Sequence, residues 1–392
     1  MNILVVHNYY KYSGGEDTVF NNEAKLLKEN GNNVYTYTRN NNEIDNFNVF
    51  KKILLPFIFL FNIKTYFDIK RIINKNNIDL VHVHNTNNLI SKSVYYAVND
   101  CNKPIVQTIH NFRFLCPNGL LFRNDNICEE CVTKGLHCSI KHNCYRNSKI
   151  QTLLMVINIK QLINSKVINR MNFICLTEFN KNKLLKINEL YKKEIIKESK
   201  VFIKPNFTYS NETNIIENDK RENFILYAAR IERNKGIFDL LDAWKDIKDT
   251  NLVICGDGKD INEAKRFVKD NNITNIEFKG QTSHDNTIRL MSKAKAFIVP
   301  SKWYEGFPMS IVEAFSVGTP VIATDIGNCG YLVKQEYNGL KYKPSNIDSI
   351  VLSINKINNL QLNNNAYQTF AKYYSNKINY KELDAIYKKI SN

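Results

Sequence analysis

The sequence has no apolar run long enough to cross a membrane. The longest, residues 53–61, contains nine residues with a proline among them, whereas a membrane-spanning helix needs about 20. The N-terminal residues also lack the basic segment and the long apolar stretch of a signal peptide, which predicts a mature N-terminus and a cytoplasmic protein. Membrane-spanning and secreted classes are therefore disfavoured.

Glycine is sparse where a dinucleotide-binding enzyme would need it. The chain has 14 glycines, and the fingerprint G-x-G-x-x-G is missing after the first predicted strand, which argues against NAD or FAD as a cofactor. That strand is followed instead by Gly14 and Gly15. Their amides could approach a phosphate at a helix N-terminus, and the alternative is a tight turn between strand and helix.

The nine cysteines do not indicate a disulfide framework, because the predicted compartment is reducing. Five of them nevertheless fall within residues 116–144, and a C-x-x-C pair lies at the centre of this cluster. Four thiolates at these spacings could close a structural zinc site without an open coordination position. His137 or His142 could replace one thiolate, Cys138 is surplus, and the alternative is a loop with reduced thiols. The predicted ligands are Cys116, Cys128, Cys131 and Cys144.

The positive charge predicts an anionic partner. Fifty-four Lys and Arg against 38 Asp and Glu give a net charge of +16, which suits a nucleic acid, an anionic membrane or a phosphorylated substrate. Nucleic acid is disfavoured because no RNP-type aromatic cluster, zinc-finger ladder or groove-binding basic helix is present. The apolar run 53–61 could instead lie on an anionic bilayer, or belong to a buried helix with a solvated edge. The cations flanking that run are Lys51, Lys52, Lys64, Lys70 and Arg71.

The length of 392 residues predicts two domains. Short apolar runs alternate with helical patterns in both halves, which is typical of doubly wound α/β domains whose ligands bind at the carboxyl ends of parallel strands. We predict an N-terminal domain over residues 1–207, a C-terminal domain over 208–372 and a C-terminal helix over 373–392 that packs back on the first domain. Residues 112–148 form a cysteine-rich excursion, and a polar linker joins the domains. The predicted strands lie at 3–6, 33–37, 80–83, 105–109, 173–176, 201–203, 224–229, 252–255, 276–278, 296–299 and 321–323.

Two segments of the second half carry binding chemistry. Arg230 and Lys235 follow its first strand and could grip one diphosphate, although surface solubility would also explain them. The string PSKWYEGFPMSIVEAF follows the strand 296–299 and places Glu305 just before a helix with Pro308 in its first turn, and Glu313 within that helix. Carboxylates there can accept hydrogen bonds from vicinal hydroxyls, while amides near Gly306 can bind phosphate oxygens. This pairing suits a nucleotide sugar.

These segments resemble retaining GT-B glycosyltransferases of family 4. The pattern Glu305-x7-Glu313 is followed by EAFSVGTPVIA, and GGED, TIHN, AARIERNKG and VICGDG occur in the family's order. The segment HNFRFLCPNGLLFR with the later CEEC is similar to a cysteine-bearing branch of bacterial cell-surface polysaccharide enzymes. The resemblance covers nearly the whole chain, and it implies the GT-B fold, two facing Rossmann-like domains with a cleft between them.

The resemblance also implies roles for individual residues. His110 would lie beside the reacting sugar, and Glu305 would hold the hydroxyls of the donor hexose. The glycine pair and the two cations would face the donor diphosphate, the two residues after Glu305 would offer amides, and Glu313 would bind the ribose. The implied reaction retains the anomeric configuration, uses a UDP- or GDP-sugar and needs no catalytic metal or other cofactor. The donor-binding residues are Gly14, Gly15, Arg230, Lys235, Gly306, Phe307 and Glu313.

The implied function is transfer of a sugar to a lipid-linked glycan acceptor at the inner face of the plasma membrane. Asn328 and Tyr331 depart from the family, which often has a glycine and a glutamate at these places, so the donor contacts of this loop stay open. The alternatives are a nucleotide-sugar epimerase of the same fold and, more remotely, a basic nucleic-acid-binding protein.

Overall fold

The computed structural model describes residues 1–11, 14–209 and 220–391. Within them, most strands coincide with short runs of fully buried apolar residues, as expected for parallel sheets covered on both faces. The strands are β1 (Asn2–Tyr9), β2 (Asn33–Asn40), β3 (Leu80–Asn85), β4 (Ile105–Ile109), β5 (Phe122–Arg123), β6 (Asn126–Ile127), β7 (Met171–Cys175), β8 (Val201–Ile203), β9 (Glu222–Ala228), β10 (Asn251–Cys255), β11 (Ile276–Gly280), β12 (Ala294–Val299), β13 (Val321–Thr324) and β14 (Gly339–Tyr342).

The helices connect these strands and cover the faces of the sheets. They are α1 (Gly15–Glu29), α2 (Val49–Leu60), α3 (Ile63–Lys75), α4 (Ser93–Asp100), α5 (Glu130–Thr133), α6 (His137–Lys141), α7 (Lys149–Ile163), α8 (Glu178–Tyr191), α9 (Ile237–Ala243), α10 (Ile261–Asp270), α11 (His284–Lys293), α12 (Met309–Ser316), α13 (Gly327–Leu332), α14 (Ile347–Ile357), α15 (Asn363–Tyr373) and α16 (Asn376–Ser391). Among the described residues, no helix is both long and apolar enough to span a membrane.

The chain divides into two compact units. The first consists of residues 1–121, 129–206 and 379–392, and the second of residues 122–128 and 207–378. The last helix, α16, contributes Leu383, Ile386 and Tyr387 to the core of the first unit, where they pack with Ile3 and Val5 of β1.

Each unit contains one parallel sheet of six strands. The order is β2-β1-β3-β4-β7-β8 in the first unit and β11-β10-β9-β12-β13-β14 in the second. The order reverses between β1 and β3 in one sheet and between β9 and β12 in the other. Loops that follow these strands lie at the switch points where α/β proteins bind ligands. The fold is therefore the predicted pair of Rossmann-like domains, the GT-B class.

The structure confirms the predicted strands and corrects several details. It adds β14, the hairpin β5–β6 and a break between α15 and α16, none of which were predicted. Pro308 is the N-cap residue of α12 and therefore precedes the first turn of the helix. Most of the predicted linker lies outside the described residues.

The apolar run 53–61 belongs to α2, which has no buried residue. The buried-helix alternative is therefore wrong. Six apolar side chains of α2 and α3 are more than 60% exposed, whereas residues 54–56 and 58–60 are half-buried. We call the six exposed residues the α2–α3 apolar patch, which consists of Val49, Phe50, Ile53, Phe57, Ile63 and Phe67.

Candidate active site

The loop between β12 and α12 holds Glu305 by its side chain. Glu305 Oε1 accepts hydrogen bonds from Lys235 Nζ at 2.7 Å, Ser301 Oγ at 2.6 Å and Trp303 Nε1 at 2.9 Å. Burial alone would raise the pKa of this carboxyl, but Lys235 and the other donors outweigh burial and lower it. The carboxylate is therefore ionised at neutral pH.

The other oxygen of Glu305 is left for a ligand. No group in the described part of the chain bonds Oε2, while three donors saturate Oε1. An ionised carboxylate oxygen accepts hydrogen bonds and cannot donate them, so Oε2 suits a hydroxyl group.

A close approach between two loops brings Lys235 to Glu305. Gly236 follows Lys235 with φ +75°, and a Cβ at this position would lie 1.8 Å from the carbonyl oxygen of Pro300. No other residue fits there, because the clash is with backbone and the conformation is left-handed. Arg230, at the end of β9, is exposed and contacts Glu232 through Nη1 at 3.2 Å. The structure thus joins Lys235 to Glu305 and leaves Arg230 at the surface.

Asn328 fixes the backbone of the same loop. Its amide nitrogen donates to the carbonyl oxygens of Glu305 at 2.8 Å and Gly306 at 2.6 Å, and its side chain is fully buried. This residue was noted in the sequence only as a departure from the family. In the structure it positions the loop, whereas the other departure, Tyr331, is half exposed.

Helix α12 carries the remaining predicted residues of the second unit. Gly306 and Phe307 precede its N-terminus, and the Phe307 ring lies edge-to-face against Tyr374. Glu313 Oε1 lies 3.2 Å from His284 Nε2. This hydrogen bond raises the pKa of His284 above its ordinary value, against the opposing effect of burial.

In the first unit, His110 directly follows β4 and belongs to a chain of buried polar groups. His110 Nε2 lies 3.0 Å from His84 Nδ1, and His84 Nε2 lies 3.1 Å from Glu23 Oε1. Burial lowers the pKa of His84 to about 4 and that of His110 well below its ordinary value, so both rings are neutral at pH 7.

The carboxylate of Glu23 fixes the tautomers along this chain. Glu23 can only accept, so His84 donates from Nε2 and accepts at Nδ1. His110 must then donate from Nε2, which leaves its Nδ1 as an acceptor. Sequence reasoning missed Glu23 and His84, because they lie 61 residues apart. The alternation of His82 and His84 in a wholly buried strand is the signal that could have shown them.

Glu23, His82 and His84 are also the group of potential ligands whose atoms lie within 4.8 Å of one another in the described residues. They do not suit a cation, because Lys204 Nζ lies 2.9 Å from Glu23 Oε2 and Lys204 is 1% exposed. Both ring nitrogens of His82 are hydrogen-bonded, Nδ1 to the Tyr387 hydroxyl at 2.6 Å and Nε2 to Thr108 Oγ1 at 2.7 Å. These residues form a hydrogen-bonded network in which the ammonium of Lys204 balances the charge of the Glu23 carboxylate.

The glycine pair lies at the N-terminus of α1. Gly14 is the N-cap with an extended backbone, its amide donates to Asp17 Oδ2 at 3.1 Å, and Gly15 begins the helix. A Cβ at Gly14 would meet nothing within 4 Å among the described residues. Tyr12 and Ser13, which precede the glycine pair, lie outside the described residues.

The structure brings several cysteines close together, all with free thiols. Burial raises the pKa of Cys131 to about 12, and the thiols of Cys116, Cys144 and Cys138 add to this. Cys138, taken as surplus, is thus part of the cluster. The predicted ligands do not form a group within 4.8 Å among the described residues. Zinc binding through Cys116, Cys128, Cys131 and Cys144 stays a prediction.

Comparison with known proteins identifies both halves. Residues 13–126 match the family model described as Glycosyltransferase Family 4, and residues 209–376 match that of Glycosyl transferases group 1. The chain is a GT-B glycosyltransferase. An uncharacterized glycosyltransferase of Methanocaldococcus jannaschii is 28% identical over 373 residues, which are 92% of this chain and 90% of the relative.

Two further proteins are similar to this chain. An N,N'-diacetylbacillosaminyl-diphospho-undecaprenol alpha-1,3-N-acetylgalactosaminyltransferase of Campylobacter jejuni is 28% identical over 181 residues, 42% of this chain and 47% of that protein. The crystal structure of an Anabaena protein, HepE, in complex with UDP superposes on this GT-B glycosyltransferase with a TM-score of 0.68 and 15% identity, covering 98% of this chain and 99% of the other. At this identity the likeness shows the fold alone.

Proposed function

We propose that this glycosyltransferase transfers a hexose from a UDP- or GDP-sugar to a lipid-linked glycan acceptor, with retention of the anomeric configuration. The observation that carries the proposal is the carboxylate of Glu305, ionised and held at one oxygen by three donors. Its second oxygen can accept a hydrogen bond from a hydroxyl of the donor sugar.

The surroundings of Glu305 suit the donor diphosphate. Lys235 lies beside the carboxylate, Arg230 follows the neighbouring strand, and the amides of Gly306 and Phe307 precede the N-terminus of α12. These groups stabilise the negative charge that develops on the leaving diphosphate, which is the role a metal ion has in other transferases. Glu313, further along α12, would bind the ribose hydroxyls.

In the first unit, His110 and the glycine pair are the groups that we assign to the substrates. His110 presents a neutral ring with Nδ1 as an acceptor, so it would accept a hydrogen bond from a hydroxyl of the reacting sugar and would not donate to an oxyanion. The amide of Gly15 at the N-terminus of α1 would face the diphosphate, and that of Gly14 would do so by exchanging its hydrogen bond to Asp17.

The α2–α3 apolar patch supports a lipid-linked acceptor and contact with an anionic membrane. Phe50, Phe57 and Phe67 expose 69, 68 and 63% of their surface. Lysines and an arginine flank the patch, so it could lie at the level of anionic headgroups. The Campylobacter jejuni relative is named for an undecaprenol-linked acceptor.

The proposed donor can be tested with a panel of UDP-, GDP- and ADP-sugars. We expect one sugar nucleotide both to raise the melting temperature and to be slowly hydrolysed without acceptor. Arg230→Gln should weaken binding of that donor about tenfold because a charge-assisted contact is lost, and the exposed Arg266→Gln should leave it unchanged. An epimerase would convert the sugar nucleotide into an epimer, and no binding of any donor would refute the proposal.

Membrane contact can be tested with vesicles of phosphatidylglycerol and of phosphatidylcholine. We expect sedimentation with the anionic vesicles, and its loss in the double variant Phe50→Ser/Phe57→Ser. Leu352→Ser is the matched control, since Leu352 is 68% exposed in the second unit. Equal sedimentation of the double variant and the wild type would contradict the role of the patch.

A further inference from the structure

A pocket of the first unit opens at the carboxyl ends of β3 and β4, with α4 and α7 beside it. His110 forms part of its wall. The apolar part of its lining consists of Phe114, Met155, Ile159 and Leu162. The lining also contains amides and two cations, Lys92 and Arg113, and no aspartate or glutamate is among the lining residues. The pocket therefore combines positive charge with apolar surface.

Lys92 is a buried ammonium without a carboxylate partner in the described part of the chain. It is 5% exposed, and Nζ donates to Asn158 Oδ1 at 3.0 Å and to Gln161 Oε1. Both partners are neutral amides, which orient the ammonium but do not balance its charge. Burial lowers the pKa of Lys92 to about 8, so the charge is mostly present at neutral pH.

The positive charge of Arg113 is also only partly balanced by the protein. Its Nη1 atom is buried and has no hydrogen-bond partner in the described residues, although an unpaired buried donor is costly. Arg113 interacts electrostatically with the carboxyl of Glu16. Burial raises the pKa of Glu16 to about 7, so this carboxyl balances the guanidinium only in part.

We propose that this pocket binds the diphosphate group of the acceptor through Lys92 and Arg113, and that its apolar lining residues contact the start of the acceptor's lipid chain. Two incompletely balanced cations suit a group with about two negative charges, which the diphosphate between a glycan and a lipid has and a single carboxylate has not. The inference deepens the proposed function, on which it rests, because it assigns the acceptor's anionic group to a site beside His110.

The proposal can be tested by calorimetry with geranyl diphosphate, inorganic diphosphate and geraniol. The nucleoside diphosphate that stabilises the protein most in the donor panel is kept at saturation, so that the donor site cannot bind the probes. We expect geranyl diphosphate to bind more tightly than inorganic diphosphate and geraniol. Lys92→Gln and Arg113→Gln should each weaken its binding about tenfold, and the exposed Lys160→Gln, on the same helix as Asn158, should not.

Stability distinguishes a binding role from a structural one. Loss of a buried, unbalanced ammonium should leave the melting temperature of Lys92→Gln equal to or above that of the wild type. A lower melting temperature with unchanged affinity would overturn the proposal, as would wild-type affinity in both variants or no binding of geranyl diphosphate. If no nucleoside diphosphate stabilises the protein, the proposed function fails separately.

Discussion

The two sheets have the same number of strands but different orders at one edge. In the second unit the third strand, β11, extends the edge beyond β10, which gives the dinucleotide-type order, whereas the first unit ends at β2. In both sheets the candidate residues follow the strands at the switch point. Arg230 and Glu305 follow β9 and β12, and Gly14 and the end of β3 occupy the corresponding places in the first unit.

The charged pairs near the two switch points differ in their burial. In the second unit an ionised carboxylate and an ammonium lie next to each other near the surface, with Glu305 ready to accept from a ligand. In the first unit the ion pair of Glu23 and Lys204 is completely buried, and neutral histidines extend from it to His110. Glu305 thus keeps one oxygen without a hydrogen bond among the described residues, while Glu23 fixes the orientation of His84 and, through it, that of His110.

The largest expected effect is on Glu305. Glu305→Gln should lower turnover about 100- to 1000-fold, because the amide cannot pair with Lys235 and no longer presents a charged acceptor. Turnover is measured as sugar release from the donor identified in the panel. Glu277→Gln, an exposed carboxylate of the same unit, is the control. Turnover within twofold of the wild type in Glu305→Gln would show that the site lies elsewhere.

The corresponding change in the first unit should mainly affect stability. Glu23→Gln leaves the ammonium of Lys204 buried and unpaired, which should lower the free energy of unfolding by about 3–5 kcal/mol. Urea denaturation measures this, with Glu336→Gln as a surface control. A loss below about 1 kcal/mol would contradict a buried ion pair at this position.

The same residue predicts a pH dependence. Burial would raise the pKa of Glu23, but Lys204, His82 and His84 hold this pKa well below the ordinary value of 4.5. The stability from this carboxylate is thus present above pH 4.5 and is lost as the pH falls toward the lower folded pKa. Glu23→Gln should flatten this part of the stability profile. A variant profile parallel to that of the wild type would contradict the assignment.

Variants of Asn328 show how far activity depends on the position of the loop that carries Glu305. Asn328→Ala removes two hydrogen bonds to the backbone of residues 305 and 306, and we expect kcat/KM to fall about tenfold. Asn328→Asp has the same shape but cannot donate to the two carbonyls as a carboxylate. It should therefore be as impaired as the alanine variant, and wild-type activity of the aspartate variant would exclude the positioning role.

The smallest effect is expected from His284. Its pairing with Glu313 raises its pKa, so the pair is present at low pH and weakens as the pH rises through the folded pKa. If Glu313 binds ribose, protonated His284 competes, and donor affinity should rise about two- to threefold between pH 6 and pH 8. His284→Gln should abolish this rise. Donor titrations at pH 6 and pH 8 measure this. The same rise in affinity in the variant would show that His284 does not compete with the donor.

The fold was predictable because its signals are local. Strands such as β4, five buried residues in a row, are visible as apolar runs. β14 was missed because GLKY is short, begins with glycine and contains a lysine. The exposure of α2 could not be predicted, because an apolar run has the same sequence whether neighbouring elements cover it or not.

The candidate site was predictable only in part. Lys235 and Glu305 lie in strings whose residue types indicate their chemistry, whereas Ser301 and Trp303 gave no sign that they would converge on one oxygen. Glu23 reaches His84 only because α1 packs beside β3, which is a property of tertiary structure. Spacing along the chain cannot reveal such a contact.

The most direct test of the central claim is the affinity of Glu305→Gln for two ligands, the nucleotide sugar and its nucleoside diphosphate. We propose that Glu305 binds the donor sugar and that Arg230 binds the diphosphate. Glu305→Gln should therefore weaken binding of the nucleotide sugar about tenfold and leave the nucleoside diphosphate unchanged, whereas Arg230→Gln should weaken both. Equal weakening of both ligands by Glu305→Gln would contradict the claim that this carboxylate binds the donor sugar.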